Sequence, residues 1–364
     1  MTSFRVSSIL LQVALAASAF LPSVARADST PKSAGYGYFQ VGDIHAPTPG
    51  ETRAGLLLMG GGREVDAAFA WLVKHAGNGH IVILRASGDD ELQKYIYNDV
   101  GGAASVQTLI FHDRAQASDP RVLDIVRHAD GIFIAGGDQA NYVRFWKGTP
   151  LNALIDAHVR SGKPLGGTSA GLAILGEWGY GAMDGGSITS PEALRDPAGA
   201  AVTLVGHFVT LGLLKGTITD THFAQRERLG RLLAFVARLA KDHHTSAITG
   251  LGVDQDSALL VEPDGSARLL SWHPDGHAWV VIPQKLRDIE SAGGRKALDA
   301  FLRDRVSAGK PLDLPGFVVI GVGTHSGLTL PGYRMVKPAF RKHIDVVEGR
   351  MVERDSSPAA TGGG

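Results

Sequence analysis

The sequence predicts an α/β fold in which a doubly wound, mostly parallel sheet carries helices on both faces, followed by a C-terminal α+β extension. Two observations predict it. Short apolar runs alternate with helical patterns from residue 54 to about residue 173, as in parallel sheets covered on both faces. The 364 residues also include 47 glycines, which cluster in pairs and triples where the apolar runs end. Such glycines permit tight loops at the ends of strands.

The elements follow in order along the chain. A strand at 54–59 ends in Gly60-Gly61-Gly62 and continues as a helix, which is the first strand-loop-helix unit. Residues 183–200 are rich in glycine and proline and predict a loop, whereas residues 229–241 predict an amphipathic helix. The remaining predictions are strands at 80–84, 106–111, 131–135, 164–167, 257–262, 278–282 and 317–321, a hairpin turn at 263–265, and helices at 121–129, 150–161, from Ser169 and at 291–306.

The domain organisation begins with a predicted signal peptide at 1–27. Arg5 precedes an apolar run from Ile9 to Phe20, and Ala25-Arg26-Ala27 forms a cleavage site, so we expect a periplasmic or secreted protein. The run is shorter than a membrane span requires, and we expect no membrane association after cleavage. The further expected segments are an N-terminal arm at 28–52, the α/β domain at 53–285, a C-terminal extension at 286–354 and a flexible tail at 355–364.

Composition excludes several classes of function. Lysine and arginine together number 36, as do aspartate and glutamate, so no basic excess favours nucleic acid as a partner. Cysteine is absent, which excludes thiol catalysis and cysteine-ligated zinc. A nucleophile in this chain would therefore be an oxygen atom.

The segment Gly166-Gly167-Thr168-Ser169-Ala170-Gly171 predicts a nucleophile elbow. A strand that ends in glycines, presents one serine and continues as an apolar helix holds the hydroxyl at the N-terminus of that helix. The backbone N–H of Ala170 would then face a developing oxyanion. The alternative is that Ser169 is an ordinary helix N-cap.

The segment Gly136-Gly137-Asp138-Gln139 also follows a predicted strand. It should lie at the same carboxyl edge of the sheet as Ser169, where the N–H of Gly137 could contact a substrate oxygen. The alternative is a plain turn in which Asp138 caps the next helix.

His222 lies at the start of the amphipathic helix, four residues before Arg226, so an imidazole and a guanidinium could face one cavity. The alternative is a solvated basic surface. His243-His244 and the pair His273 and His277 lack accompanying carboxylates, and we predict neither a metal site nor a cofactor.

Taken together, these three segments resemble the cyanophycinase branch of the S51 serine peptidases, relatives of aspartyl dipeptidase with a class I glutamine amidotransferase-like fold. The resemblance runs from about residue 54 to residue 282. It implies Ser169 as nucleophile, His222 as its base and Gln139 in the substrate pocket. It also implies contacts to the charged groups of a β-linked Asp-Arg dipeptide from a set of residues near His222, namely Asp220, Thr221, Arg226, Arg228 and Arg231.

Two positions depart from the family pattern. Thr221 stands where these proteins usually carry glutamine, and Gln255 stands where the triad carboxylate is typically a glutamate. We predict that Gln255 takes the third triad position, with Asp254 and Asp256 as alternatives. On a helix, Arg226, Arg228 and Arg231 could not share one face, and Arg226 should be the substrate contact.

The expected function is therefore an exported serine exopeptidase of cyanophycinase type that acts on a peptide or polymer. Two alternatives remain. The first is a weakly active or inactive peptide-binding protein on the same fold. The second is a nucleotide-binding α/β protein, suggested by Gly60-Gly61-Gly62, although the spacing lacks the further glycines and the lysine of phosphate-binding loops. A homodimer is compatible with the sequence, which does not fix the oligomeric state.

Overall fold

The computed structural model describes residues 35–354 and confirms the α/β class. The predicted signal peptide, the first part of the arm and the predicted tail lie outside these residues. Within the described part of the chain, no helix is both long enough and apolar enough to cross a membrane.

Eighteen strands are present in residues 35–354, and in chain order they are β1 (Gly37–Gly42), β2 (Leu56–Met59), β3 (His80–Arg85), β4 (Ser105–Ile110), β5 (Gly131–Ile134), β6 (Leu165–Thr168), β7 (Trp178–Tyr180), β8 (Leu204–Gly206), β9 (Thr217–Asp220), β10 (Thr249–Val253), β11 (Ser257–Val261), β12 (Ser266–Ser271), β13 (Ala278–Ile282), β14 (Leu314–Val322), β15 (Gly327–Thr329), β16 (Arg334–Val336), β17 (Phe340–Val347) and β18 (Arg350–Arg354).

The strands form two sheets. The first has ten strands in the order β1-β4-β3-β5-β6-β2-β11-β12-β15-β16, and the second has eight in the order β18-β17-β14-β13-β10-β9-β7-β8. The strands from β4 to β2 in the first sheet are mutually parallel, as are β7, β9 and β10 in the second. The outer strands of both sheets pair antiparallel, so the sheets are not parallel throughout.

Nine α-helices are present in the same residues, namely α1 (Asp66–His75), α2 (Glu91–Lys94), α3 (Pro120–Arg127), α4 (Gln139–Trp146), α5 (Pro150–Arg160), α6 (Ala170–Ala173), α7 (Ser190–Arg195), α8 (Leu229–Asp242) and α9 (Gln284–Leu302). Local sequence explains several starts: Asp119 and Thr149 cap α3 and α5, and a proline follows each. Helix α9 is interrupted at Gly294, whose φ is 66°.

The central strands β2, β3 and β5 are buried along nearly their whole length, as expected where helices cover both faces of a parallel sheet. Helix α8 covers the second sheet and buries a wide apolar stripe that includes Leu232, Phe235 and Val236. These rigid layers fix the loops at the carboxyl ends of β5, β6 and β9.

The structure contains strands that were not predicted, such as β7 to β10, and the helix expected at 291–306 lies at Gln284–Leu302. Three further differences change the organisation of the chain. The segment expected to be an arm contributes β1, an edge strand on β4. The loop predicted at 183–200 contains α7, whose capping box joins Thr189 and Glu192. The residues expected to form the C-terminal extension divide between the sheets, because β15 and β16 pair onto the first and β14, β17 and β18 onto the second.

Candidate active site

The turn after β6 holds Ser169 in a backbone conformation that side chains seldom adopt, with φ 51° and ψ −119°. Close packing explains the small neighbours: a Cβ on Gly171 would lie 2.0 Å from the carbonyl oxygen of Ile134. The Ser169 side chain makes no capping hydrogen bond to α6, so its hydroxyl does not act as a helix N-cap.

The hydroxyl of Ser169 is instead bonded to His222. Its Oγ lies 2.7 Å from Nε2 of the imidazole. Ser169 follows β6 of the first sheet, whereas His222 follows β9 of the second, so the pair joins the two sheets. His222 also has a positive φ, 44°, and its backbone N–H donates to the carbonyl of Gly60 at 2.8 Å.

The triplet Gly60-Gly61-Gly62, which suggested a nucleotide-binding loop, is required by close packing around His222. A Cβ on Gly61 would lie 2.4 Å from Cε1 of His222, and one on Gly62 would lie 2.3 Å from Oδ1 of Asp256. The triplet therefore lets the backbone lie flat against the imidazole ring and the 254–256 turn.

The second ring nitrogen of His222 contacts Gln255, whose amide nitrogen lies 2.7 Å from Nδ1. The backbone N–H of Gln255 donates to Oε1 of Gln225 at 2.9 Å, which ties the two loops together. Neither neighbouring aspartate reaches the ring. Asp254 accepts from the Trp279 indole and from the backbone of Ala224 and His277, and Asp256 accepts from Arg63 and His273.

The orientation of this amide determines which ring nitrogen carries the proton. With the amide N–H₂ donating to Nδ1, the proton of a neutral ring lies on Nε2 and faces Ser169. Rotation of the amide by half a turn exchanges its oxygen and nitrogen with no other movement. Oε1 then accepts from Nδ1–H, and Nε2 is free to accept the proton of Ser169.

Burial and nearby positive charge lower the pKa of His222. Desolvation is the larger cause, followed by Arg226 and Arg228, and together they bring the pKa to about 4. The imidazole is therefore neutral at neutral pH, which is the state required of a base.

Two N–H groups are available to an oxyanion near Ser169. Gly137 follows β5 with φ 152°, and Ala170 begins α6 directly after Ser169. Within residues 35–354, neither N–H donates to another group of the protein. The positive end of the helix and these unused donors favour negative charge beside Ser169.

Two clefts meet at Ser169 and His222 and carry opposite charge. The first, of about 470 Å³, is lined by Gly137, Asp138, Gln139, Ala140, Arg144, Ser169, Ala170, Ala182, Gly185, Gly186, Ser187, Thr221, His222, Arg226 and Arg228. The second, of about 570 Å³, is lined by Gly61, Gly62, Glu64, Arg85, Asp89, Glu91, Leu92, Tyr95, Ala135, Gly136, Thr168, Ser169 and His222. Guanidinium groups dominate the first cleft and carboxylates the second.

The structure brings most of the predicted substrate contacts to the first cleft, including Gln139, Thr221, Arg226 and Arg228. Asp220 and Arg231 lie behind it instead. Both side chains are 2% exposed, and Arg231 donates to both carboxylate oxygens of Asp220. The guanidinium of Arg228 is also committed, because it donates to Oγ1 and the carbonyl oxygen of Thr221.

The expected helical arrangement of the arginines is wrong. Arg226 and Arg228 lie in the turn that follows His222, and only Arg231 belongs to α8. The positive φ of His222 starts this turn, so angles taken from a helix do not apply. Sequence reasoning also missed the cleft residues Glu64, Asp89, Glu91 and Arg144, which are single charged residues in separate segments and carry no local signal.

Comparison with known proteins gives a consistent set of matches. The profile of Peptidase family S51 matches residues 56–269, more than half of the chain. A cyanophycinase of Synechococcus elongatus is 34% identical over 193 residues, which cover 52% of this chain and 55% of that protein. A cyanophycinase of Trichormus variabilis is 29% identical over 259 residues, which cover 68% of this chain and 80% of that protein.

The match therefore spans little more than half the length of the first of these relatives. Among solved structures, a peptidase from an acI-B1 Actinobacterium has a TM-score of 0.46 at 16% identity, with 64% of this chain and 91% of that chain covered.

Proposed function

The chain belongs to peptidase family S51, and on that premise we propose that it is a serine exopeptidase of cyanophycinase type. Its substrates would be cyanophycin or related β-aspartyl peptides, and its products β-Asp-Arg dipeptides. The observation that carries the proposal is the Ser169 Oγ to His222 Nε2 contact of 2.7 Å at the junction of two clefts. The signal peptide predicted at 1–27 is the reason to propose action outside the cytoplasm.

The reaction begins with attack of Ser169 Oγ on the carbonyl carbon of the main-chain peptide bond between two β-Asp-Arg units, while His222 takes the hydroxyl proton. The N–H groups of Ala170 and Gly137 stabilise the oxyanion of the tetrahedral intermediate. Its collapse breaks the C–N bond, and His222 gives its proton to the departing amine. Water, deprotonated by His222, then hydrolyses the acyl-enzyme and restores Ser169.

The charges of the clefts support a substrate that carries both carboxylates and guanidinium groups. Arg144 and Arg226 in the first cleft suit the carboxylates of a β-Asp-Arg unit. Glu64 and Glu91 in the second suit a neighbouring guanidinium, whereas Asp89 already lies 3.8 Å from the guanidinium of Arg85 in the same cleft. An ordinary neutral peptide offers no charge to either cleft.

A peptide-binding protein with little or no turnover is the second candidate, favoured by the uncharged Gln255 beside His222. A fluorophosphonate probe separates the two, because it reacts with an activated serine and not with an ordinary hydroxyl. Labelling of Ser169, mapped by mass spectrometry, supports the hydrolase. An unlabelled protein that still binds β-Asp-Arg supports the binding protein.

Replacement of Arg226 by lysine should weaken substrate binding. A lysine keeps the charge and loses the planar fork that binds a carboxylate through two hydrogen bonds, so we expect KM to rise roughly tenfold with kcat little changed. Arg160→Lys on the exposed end of α5 is the matched control and should have no effect. If Arg226→Lys is silent while Arg228→Lys raises KM, the contact belongs to Arg228.

A further inference from the structure

We infer that Arg144 binds the α-carboxylate of the arginyl residue that a β-aspartyl substrate carries in isopeptide linkage, an assignment that rests on the proposed function. Arg144 lies on α4, is exposed and lines the first cleft. Its backbone is fixed, because Arg114 donates to the carbonyl oxygens of Arg144 and Lys147 at 2.9 and 2.7 Å. Within residues 35–354 its guanidinium forms no ion pair, so a firmly held helix presents an uncommitted charge to the cleft.

The balance of charge in the first cleft calls for an anionic ligand. Three guanidinium groups line it, and the only carboxylate is that of Asp138, which caps α4 by accepting from the N–H of Ala140 at 2.9 Å. Arg228 is committed to Thr221. Arg144 and Arg226 are left to bind negative charge on the substrate.

Arg226 and Arg144 reach the cleft from different elements of the fold. The N–H of Arg226 donates to the carbonyl of His222 at 3.0 Å, which holds Arg226 beside the reacting atoms in the turn after β9. Arg144 comes from the C-terminal half of α4, after β5 of the other sheet. We therefore assign Arg226 to a group near the scissile bond and Arg144 to a more remote one.

The chemistry of the substrate identifies the remote group. In a β-Asp-Arg polymer, the α-carboxyl of each internal aspartate is used in the main chain. The α-carboxylate of the arginine is the free carboxylate that every unit carries, and the aspartyl side chain and the isopeptide bond separate it from the main chain. A guanidinium that binds it distinguishes β-linked units from α-peptides and from units whose side branch ends in an amide.

The test measures binding by calorimetry to Ser169→Ala protein, which holds substrate without turning it over. The two ligands are the β-Asp-Arg dipeptide and the same dipeptide with its arginine carboxylate converted to an amide. We expect Arg144→Gln, added to Ser169→Ala, to weaken binding of the acid about tenfold and to change binding of the amide by less than about twofold. Arg144→Lys should restore part of the affinity for the acid, and Arg160→Gln should leave the affinity for both ligands unchanged.

Equal losses on acid and amide, no loss on the acid, or failure of the Ser169→Ala protein to bind either ligand would overturn the assignment. Failure of the proposed function gives a different result. If the ligands bind with the expected dependence on Arg144 while the unsubstituted protein releases no dipeptide from cyanophycin, the assignment stands and the hydrolase does not.

Discussion

Ser169→Ala should remove essentially all turnover of β-aspartyl peptides and leave the stability of the protein nearly unchanged. The hydroxyl bonds the imidazole of His222 and makes no capping bond to α6, so its loss removes the nucleophile and no helix contact. Removal of a triad nucleophile in a serine protease costs about six orders of magnitude in kcat. The measurement is kcat for release of β-Asp-Arg dipeptide from a peptide of several β-Asp-Arg units, together with the thermal midpoint of unfolding.

The control is Ser161→Ala at the end of α5, which removes a hydroxyl that donates to the carbonyl of His158 at 2.7 Å. Ser161 precedes β6 and Ser169 follows it, so the two serines lie beyond opposite ends of that strand. It should keep full activity. Activity retained in Ser169→Ala, together with a loss of about 1 kcal/mol in the free energy of unfolding, would mean that the hydroxyl acts as a helix cap after all.

Gln255→Glu should raise kcat by at least about tenfold, because a carboxylate beside Nδ1 fixes the proton there and stabilises the imidazolium that forms on attack. The amide of Gln255 must rotate to accept that proton and brings no charge. In trypsin-like enzymes the reverse change, aspartate to asparagine, costs about ten-thousandfold, although papain-like proteases use an amide in this role.

Gln255→Glu should also shift the acid limb of the kcat/KM profile to higher pH. His222 must be neutral to accept the serine proton, so kcat/KM falls as the pH drops through its pKa. With that pKa lowered to about 4 by burial and the nearby arginines, the unsubstituted protein should keep kcat/KM constant from neutral pH down to about 5. A new carboxylate favours the imidazolium and raises this pKa, so the acid limb of Gln255→Glu should lie at higher pH.

Asp254→Asn and Asp256→Asn are the companions to this experiment. Asp254 accepts three hydrogen bonds while almost fully buried, so its replacement should lower thermal stability; Asp256 holds the backbone of Arg63 and the ring of His273. A collapse of kcat in either variant while the protein is still folded at the assay temperature, with Gln255→Glu neutral or harmful, would assign the triad carboxylate to that aspartate.

The α/β core could be predicted because a strand buried on both faces is a continuous apolar run, as in β3, and an amphipathic helix has a strong helical period, as in α8. The elbow at Ser169 and the histidine at 222 could be found for a related reason, since each lies directly where a strand ends. The second sheet was predicted only in part, because strands were expected where β13 and β14 lie but not at its other positions. Strands such as β7 and β8 have three residues each, too few for a period to appear.

The chemistry of the clefts depends on contacts between distant segments. Arg144 and Glu64 lie 80 residues apart, on different segments, and each is an unremarkable surface charge in its own segment. The pairing of Asp220 with Arg231, which removes both from the cleft, is equally invisible in the sequence. These residues come together only because the two sheets meet at Ser169 and His222, which is a tertiary contact that no single segment encodes.

Mass spectrometry of the products released from purified cyanophycin tests the central claim most directly. We expect the protein to release β-Asp-Arg dipeptide, the Ser169→Ala protein to release none, and ordinary α-peptides to stay intact. Cyanophycin left intact by protein that is folded and binds β-Asp-Arg would contradict the claim, as would dipeptide release that persists in Ser169→Ala.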